Sequence, residues 1–527
     1  MAYKRLWIAL CVVVVGSFAV LGGVGTRLLS NAPPIPERVV TTDGRILFDK
    51  ETIQDGQNVW QSIGGQETGS IWGHGSYVAP DWTADYLHRE LNYTLDKWAA
   101  GYGQASFAAL NAEQQAVLKA RLETVFRTNT YDAATGTLTI DPARAEAFDS
   151  LSKYYADVFA NGRSEYAIPR DALTDQTKQR QMASFFWWTA WAASTNRPND
   201  SVSYTNNWPH EPLINNHPTT SATVWSIISF ILLLAGIGAL VWYYSTRERE
   251  APPKDVPNND PLLGFQPTPS QRATIKYFIV VTALIVVQIL LGAVTAHYGV
   301  EGDGFYGIPS ALEVVPLVLI GREAWDNIKL SRTKEWVANY RWPINFFVAV
   351  AFWNLVGAGL FGFLINPPVA LYYMQGLNTT PVHGHTALFG VYGMLGIGLM
   401  LFVLRALKPG RAWKEWPLKW AFWTINIGLT MMVVLSLLPI GLMQTWASVE
   451  HGTWYARSAE FLQTGLLEKL RWLRGPGDAL FAIGALLLGW FVINLFTGRS
   501  FDKPSEVESR DTRRQPRIKA SEAYSGD

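Results

Sequence analysis

The sequence predicts an all-α integral membrane protein, a helix bundle of about eight spans, with a folded extramembrane domain inserted after the first span. Three observations predict it. Apolar runs of about 20 residues recur, the length a helix needs to cross a bilayer. Basic residues gather in alternate loops. A polar, Trp-rich stretch, 26–220, interrupts the apolar pattern. The 527 residues carry 44 Lys+Arg against 43 Asp+Glu, and only 17% are charged, below the ~25% of soluble domains. A net charge of +1 gives no electrostatic reason to expect nucleic acid as a partner. The single cysteine, Cys11, lies in an apolar run. It excludes a disulfide framework, a cysteine-based zinc site and a C-x-x-C-H haem attachment.

In chain order, 1–25 holds the first span, whose apolar core (6–25) follows Lys4 and Arg5. That run is too long for a signal-peptide core and lacks a clear A-x-A site, so it reads as an uncleaved helix with its N-terminus inside. Residues 26–220 form the extramembrane domain, with a helix expected over 112–128 and a short strand at 135–140. Its aromatics need a core to pack in. Further spans fall near 221–245, 273–296, 342–365, 382–404, 420–443 and 478–497, with a shorter one near 304–321. Lys329, Arg332, Lys334 and Arg341 fill one loop, and Arg405, Lys408, Arg411, Lys414 and Lys419 another. All the basic loops fall on one side if 304–321 also crosses. The 26–220 domain and the loops 366–381 and 444–477 then share the opposite side. The charged tail, 500–527, carries no folding signal.

Of eight histidines, His383 and His385 stand at the start of a span, in TPVHGHTALFGVYGMLGIGLM. Two residues along a helix turn about 200°, so the two side chains leave opposite faces. One metal ion is poorly served by both, whereas two planar cofactors on opposite sides are well served. Imidazole is a usual axial ligand of haem iron. Gly384, Gly390 and Gly393 keep the helix slim enough for large flat groups to approach. Spacing alone favours the plainer reading, two interfacial histidines that cap the helix or bond loop carbonyls. His297 and Glu301, in HYGVE, share one helix face, and Asp478 opens the last span in RGPGDALF. A histidine and carboxylates at a membrane edge suit a donor that loses protons with its electrons. On residue type and position alone, anchoring of helix ends is the stronger reading. Glu313, in SALEVVPL, is an isolated carboxylate in a span and therefore a functional candidate.

The run HGHTALFGVYG closely resembles the haem-binding helix of nitric oxide reductases, relatives of the haem–copper oxidases. The resemblance implies that His383 binds the high-spin haem b of the catalytic site, and His385 the low-spin haem b that feeds it. It places Glu313 beside a catalytic non-haem iron, as a proton-handling group. The segment DGQNVWQSIGGQETGSIWGHGSYVAPDWTADYLHRE (55–90) resembles a cytochrome c subunit without its haem. That fusion is the organisation of the single-chain, quinol-dependent enzymes, in which residues matching His297, Glu301 and Asp478 surround the quinol. GHGSY resembles a segment that gives a backbone oxygen and a tyrosine to calcium, here Gly75 and Tyr77. These are two of the about six to eight oxygens that Ca²⁺ needs, and a turn that docks the domain explains them equally well.

The resemblance covers 1–309 and again 310–499, with an internal block of helices absent at the join. The family's V-H-L-W-V-E-G-like helix, its adjacent H-H pair and its W-H motif do not occur, so no ligands for the non-haem iron are found in this sequence. The implied activity is quinol-driven reduction of nitric oxide in the bacterial inner membrane, with the large domain periplasmic and a homodimer allowed. The alternative is a catalytically inactive, shortened haem or membrane protein that keeps only quinol-facing and docking surfaces. No inverted repeat supports a transporter.

Overall fold

A computed structural model describes residues 31–246, 339–407 and 412–502, with scattered positions between 8 and 26. The extramembrane part begins with strands β1 (Arg38–Thr41) and β2 (Ile46–Asp49). Five helices follow: α1 (Lys50–Ser62), α2 (Trp82–Ala99), α3 (Ala112–Arg127), α4 (Pro142–Asn161) and α5 (Gln176–Ser194). Each starts where the sequence supplies an acceptor for orphan N–H groups. Asp49, Asp81, Asp141 and Asp175 cap four of them, and Asn111 with Gln114 forms a capping box on α3. The helix expected over 112–128 and the strand expected at 135–140 are both present.

Between α1 and α2 lie the two-residue strands β3 (Ser70–Ile71) and β4 (His74–Gly75), which pair antiparallel. Strands β5 (Tyr131–Asp132) and β6 (Thr137–Ile140) complete a sheet of order β2-β1-β6-β5, with β1 and β6 parallel. The sheet is a small addition to an otherwise helical domain. The aromatics have the core they require: Trp82, Trp187, Trp191, Tyr86, Tyr155 and Phe186 are fully buried. Trp82 stacks on Phe186 at 5.6 Å. Inside this core Glu90 meets Arg144 at 2.7 Å, with both side chains almost entirely out of solvent.

Five described helices are long and apolar enough to cross a membrane. These are α6 (Thr220–Leu240), α7 (Arg341–Ile365), α9 (Thr379–Arg405), α10 (Glu415–His451) and a last segment, Gly465–Phe496. The last divides into α11 (Gly465–Trp472) and α12 (Arg474–Phe496). A short helix, α8 (Pro368–Met374), joins α7 to α9. Spans expected at 273–296 and 304–321 lie outside the described residues, and the first span is described only in part. Leu234, Leu486 and Ile493 stand exposed on these helices, as lipid-facing side chains do. The chain is an integral membrane protein, and its domain touches both loops that the charge distribution assigns to its own side. The Tyr372 hydroxyl, on α8, reaches the carbonyls of Asn207 and Asn216 at 2.8 and 2.9 Å. Thr453 N–H donates to the His210 carbonyl at 3.0 Å.

Candidate functional site

The histidine-bearing helix α9 is not regular. After Thr379–Gly384 it widens into a π-helical segment, His385–Gly393, and then returns to α-helix. Its neighbour α7 widens likewise over Asn354–Phe361. Such segments are rare and recur at functional sites, because they change which carbonyls the ladder uses. The two widened stretches face each other. Gly357 makes this possible: a Cβ there would lie 2.5 Å from the Thr386 Cβ.

His383 and His385 point at different helices, as their spacing requires. The His383 ring lies over α7, where a Cβ added to Gly362 would meet its Cε1 at 3.0 Å. Its Nδ1 is 2.9 Å from the Gly357 carbonyl. A carbonyl only accepts, so Nδ1 carries the proton and Nε2 keeps its lone pair. His385 does the same within its own helix, with Nδ1 donating to the Pro381 carbonyl at 2.8 Å. Its Nε2 accepts from Arg474 Nη2 at 3.3 Å. Arg474, at the start of α12, also donates through Nε to Asp478 at 3.2 Å. The structure thus brings together His385 and Asp478, two residues the sequence singled out separately, through an arginine it did not.

The glycines on α9 behave differently from one another. Gly384 has nothing within 4 Å of a built Cβ, leaving the slim face that was expected. At Gly390, however, Trp353 of α7 fills the space, 2.7 Å from a built Cβ. That room is used for helix packing, with Trp353 Nε1 donating to Asn426 at 2.8 Å.

Gly75 and Tyr77 lie at the contact between the domain and the membrane helices. Gly75 has φ +145, and a Cβ would sit 2.2 Å from the Gly69 carbonyl oxygen, so only glycine fits this bridge. The Tyr77 ring lies 5.6 Å from the Arg457 guanidinium. Beside them, Gln375 Nε2 donates to the Trp72 carbonyl at 2.7 Å and lies 3.1 Å from His74 Nε2. Burial pushes the His74 imidazole down, which favours the neutral ring that accepts there. Arg457, Arg474 and Gln375 carry no motif signal, and only their position in the folded chain marks them. His297, Glu301 and Glu313 lie outside the described residues.

The donor set tests which cofactors fit. The His383 Nε2 lone pair could hold haem iron, and the His385 Nε2 could do so once Arg474 is displaced from it. Their Nδ1–H bonds to carbonyls are the outer contacts that orient a ligating histidine. Among the described residues no three or more His, Cys, Asp or Glu side chains converge as a metal site.

Two family models match the chain. Residues 36–210 match the NorB cytochrome c-like domain of nitric oxide reductase. Residues 300–480, which include both histidines, match cytochrome c and quinol oxidase polypeptide I. A similar protein, the NorB polypeptide of the nitric oxide reductase of Stutzerimonas stutzeri, is 29% identical over 134 residues, 24% of this chain. That match spans 28% of the relative's own length. The domain covered by one match precedes the histidine-bearing helix covered by the other, and in these two parts the chain resembles NorB and the oxidase polypeptide I of the haem–copper oxidases.

Proposed function

We propose that the chain is a nitric oxide reductase fed by membrane quinol, converting 2 NO, two electrons and two protons into N₂O and H₂O. The observation that carries this reading is the pair of histidines on α9, each with its Nδ1–H on a main-chain carbonyl, which leaves Nε2 as the lone-pair nitrogen of both rings. His383 would hold the high-spin haem b and His385 the low-spin haem b, with Arg474 giving way at His385. When bound, haem supplies one-electron transfer and a site for nitric oxide. The chain's own residues do the rest. The Gly357 and Pro381 carbonyls fix the imidazole tautomers. Asp478, His297 and Glu301 bind quinol at the outer membrane edge and accept its protons. Glu313 handles protons at the catalytic centre, and Gly75 and Tyr77 belong to the contact that seats the domain. The domain has no cysteine to hold haem c, which favours a lipid-soluble electron donor. The inner membrane, with the domain on the periplasmic side, is the location this reading requires.

A second reading is favoured by the missing iron ligands: a haem protein that binds nitric oxide without coupling two molecules. Spectra of the purified chain, reduced minus oxidised, separate these readings when combined with quinol-driven nitric oxide consumption. Haem b signals that fall on His383→Ala and His385→Ala, together with consumption, support the reductase. Haem without consumption supports the second reading. No haem in any preparation would sink both.

A further inference from the structure

Arg457 lies between α10 and α11, 1% exposed, and both terminal nitrogens of its guanidinium are met by oxygens, while its buried Nε has no partner. Nη1 donates to the Gly376 carbonyl and, at 3.3 Å, to the Ser70 hydroxyl. Nη2 donates to the carbonyls of Ser76, at 2.6 Å, and Ala79. Three of these acceptors lie 378 to 387 residues earlier in the chain, in the loop that carries Gly75 and Tyr77. Behind these oxygens stands Asp81, also 1% exposed, which accepts from the Ser70 hydroxyl and Gly73 N–H at 2.7 Å each. Its negative charge reaches Arg457 through one hydroxyl. Burial raises the Asp81 carboxyl and lowers the Arg457 guanidinium, and each draws the other back toward its charged form.

Three carbonyls, a hydroxyl and a nearby carboxylate are the donors that hard divalent cations select. Here a side chain of the same polypeptide supplies the positive charge. A planar guanidinium spans four acceptors on two separate elements, which a compact ammonium does not. A divalent ion on the same oxygens would meet a buried like charge, an unfavourable arrangement at low dielectric. We propose that Arg457 is the built-in cation that docks the extramembrane domain onto the membrane helices, so that this docking needs no divalent metal. The inference stands apart from the haem and quinol assignments.

Hydrogen exchange of the full chain in detergent tests it, in millimolar CaCl₂ and again in EGTA. Wild type should show the same protection of 69–81 and 375–378 in both. Arg457→Met should exchange about tenfold faster or more in those two segments, while α5 keeps its protection. Opening of the wild-type segments by EGTA would overturn the proposal, as would full protection in Arg457→Met. If Arg457→Met does not fold, the wild-type comparison with and without EGTA still decides.

Discussion

Replacing Arg144 by Met should make the stability of the domain's core depend on the charge of one carboxylate. Arg144 holds Glu90 through two bonds, Nε to Oε1 at 2.7 Å and Nη2 to Oε2 at 3.3 Å. The guanidinium also lies 4.1 Å over the Phe126 ring. Methionine keeps much of that apolar contact but leaves a carboxylate with 0% exposure and no counter-charge. Removing one partner of a buried pair costs about 3–5 kcal/mol. With a urea dependence of about 1–3 kcal/mol/M, the midpoint for the domain should fall by roughly 1–5 M. The loss should also depend on pH. Burial already pushes the Glu90 carboxyl up, and Arg144 is the chief group pulling it back. In the variant burial dominates, so the folded value stands well above the unfolded ~4.3. Stability is then full below that unfolded value and is lost as pH rises through the folded one, by about 1.4 kcal/mol per unit. Urea unfolding followed by tryptophan emission, at pH 5 and pH 8, reads both effects. A double variant, Glu90→Leu with Arg144→Met, should recover most of the loss and be insensitive to pH. The reasoning fails if the single variant unfolds like wild type at both pH values, or if the double variant is the less stable at pH 8.

Further outcomes follow from close contacts. Gly357→Val should force α7 from α9, because even a Cβ lies 2.5 Å from Thr386; a cost of about 1–3 kcal/mol should appear in thermal melts of the full chain, and an unchanged melt would refute it. Tyr372→Phe removes the hydroxyl that reaches Asn207 and Asn216 and should loosen domain docking by about 1 kcal/mol, seen as faster exchange in 207–216. Gly75→Ala must relieve its 2.2 Å overlap with the Gly69 carbonyl, so proteolytic cleavage within 69–81 should accelerate while helices α4 and α5 stay resistant. Equal cleavage rates would show that the bridge tolerates a side chain.

Much of the fold was legible along the chain because the signals are local in period or strong in energy. Backbone groups in lipid must be satisfied within their own helix, so each span announces itself as an unbroken apolar run. The helix over 112–128 was read from its pattern, whereas the caps Asp49, Asp81, Asp141 and Asp175 emerged only with the structure, each supplying an acceptor that orphan N–H groups need within a few residues. His383 and His385 face different ways because the helix turn alone separates them. Arg457 was illegible for the opposite reason: it is one of several arginines by sequence, and only contact with a loop nearly 390 residues earlier makes it a buried tie. The same holds for Arg474, which joins His385 to Asp478, and for Trp353, which takes the room beside Gly390.

By itself, the sequence determined that this is a membrane helix bundle with a Trp-rich domain that cannot hold haem c, and that two imidazoles leave one helix in different directions. Those are consequences of composition and helical period. Only the tertiary structure decided which carbonyl fixes each imidazole tautomer, which glycine face is already filled, and which arginine fastens the domain. Such outcomes depend on atoms brought together from distant parts of the chain, and no local pattern encodes their distances.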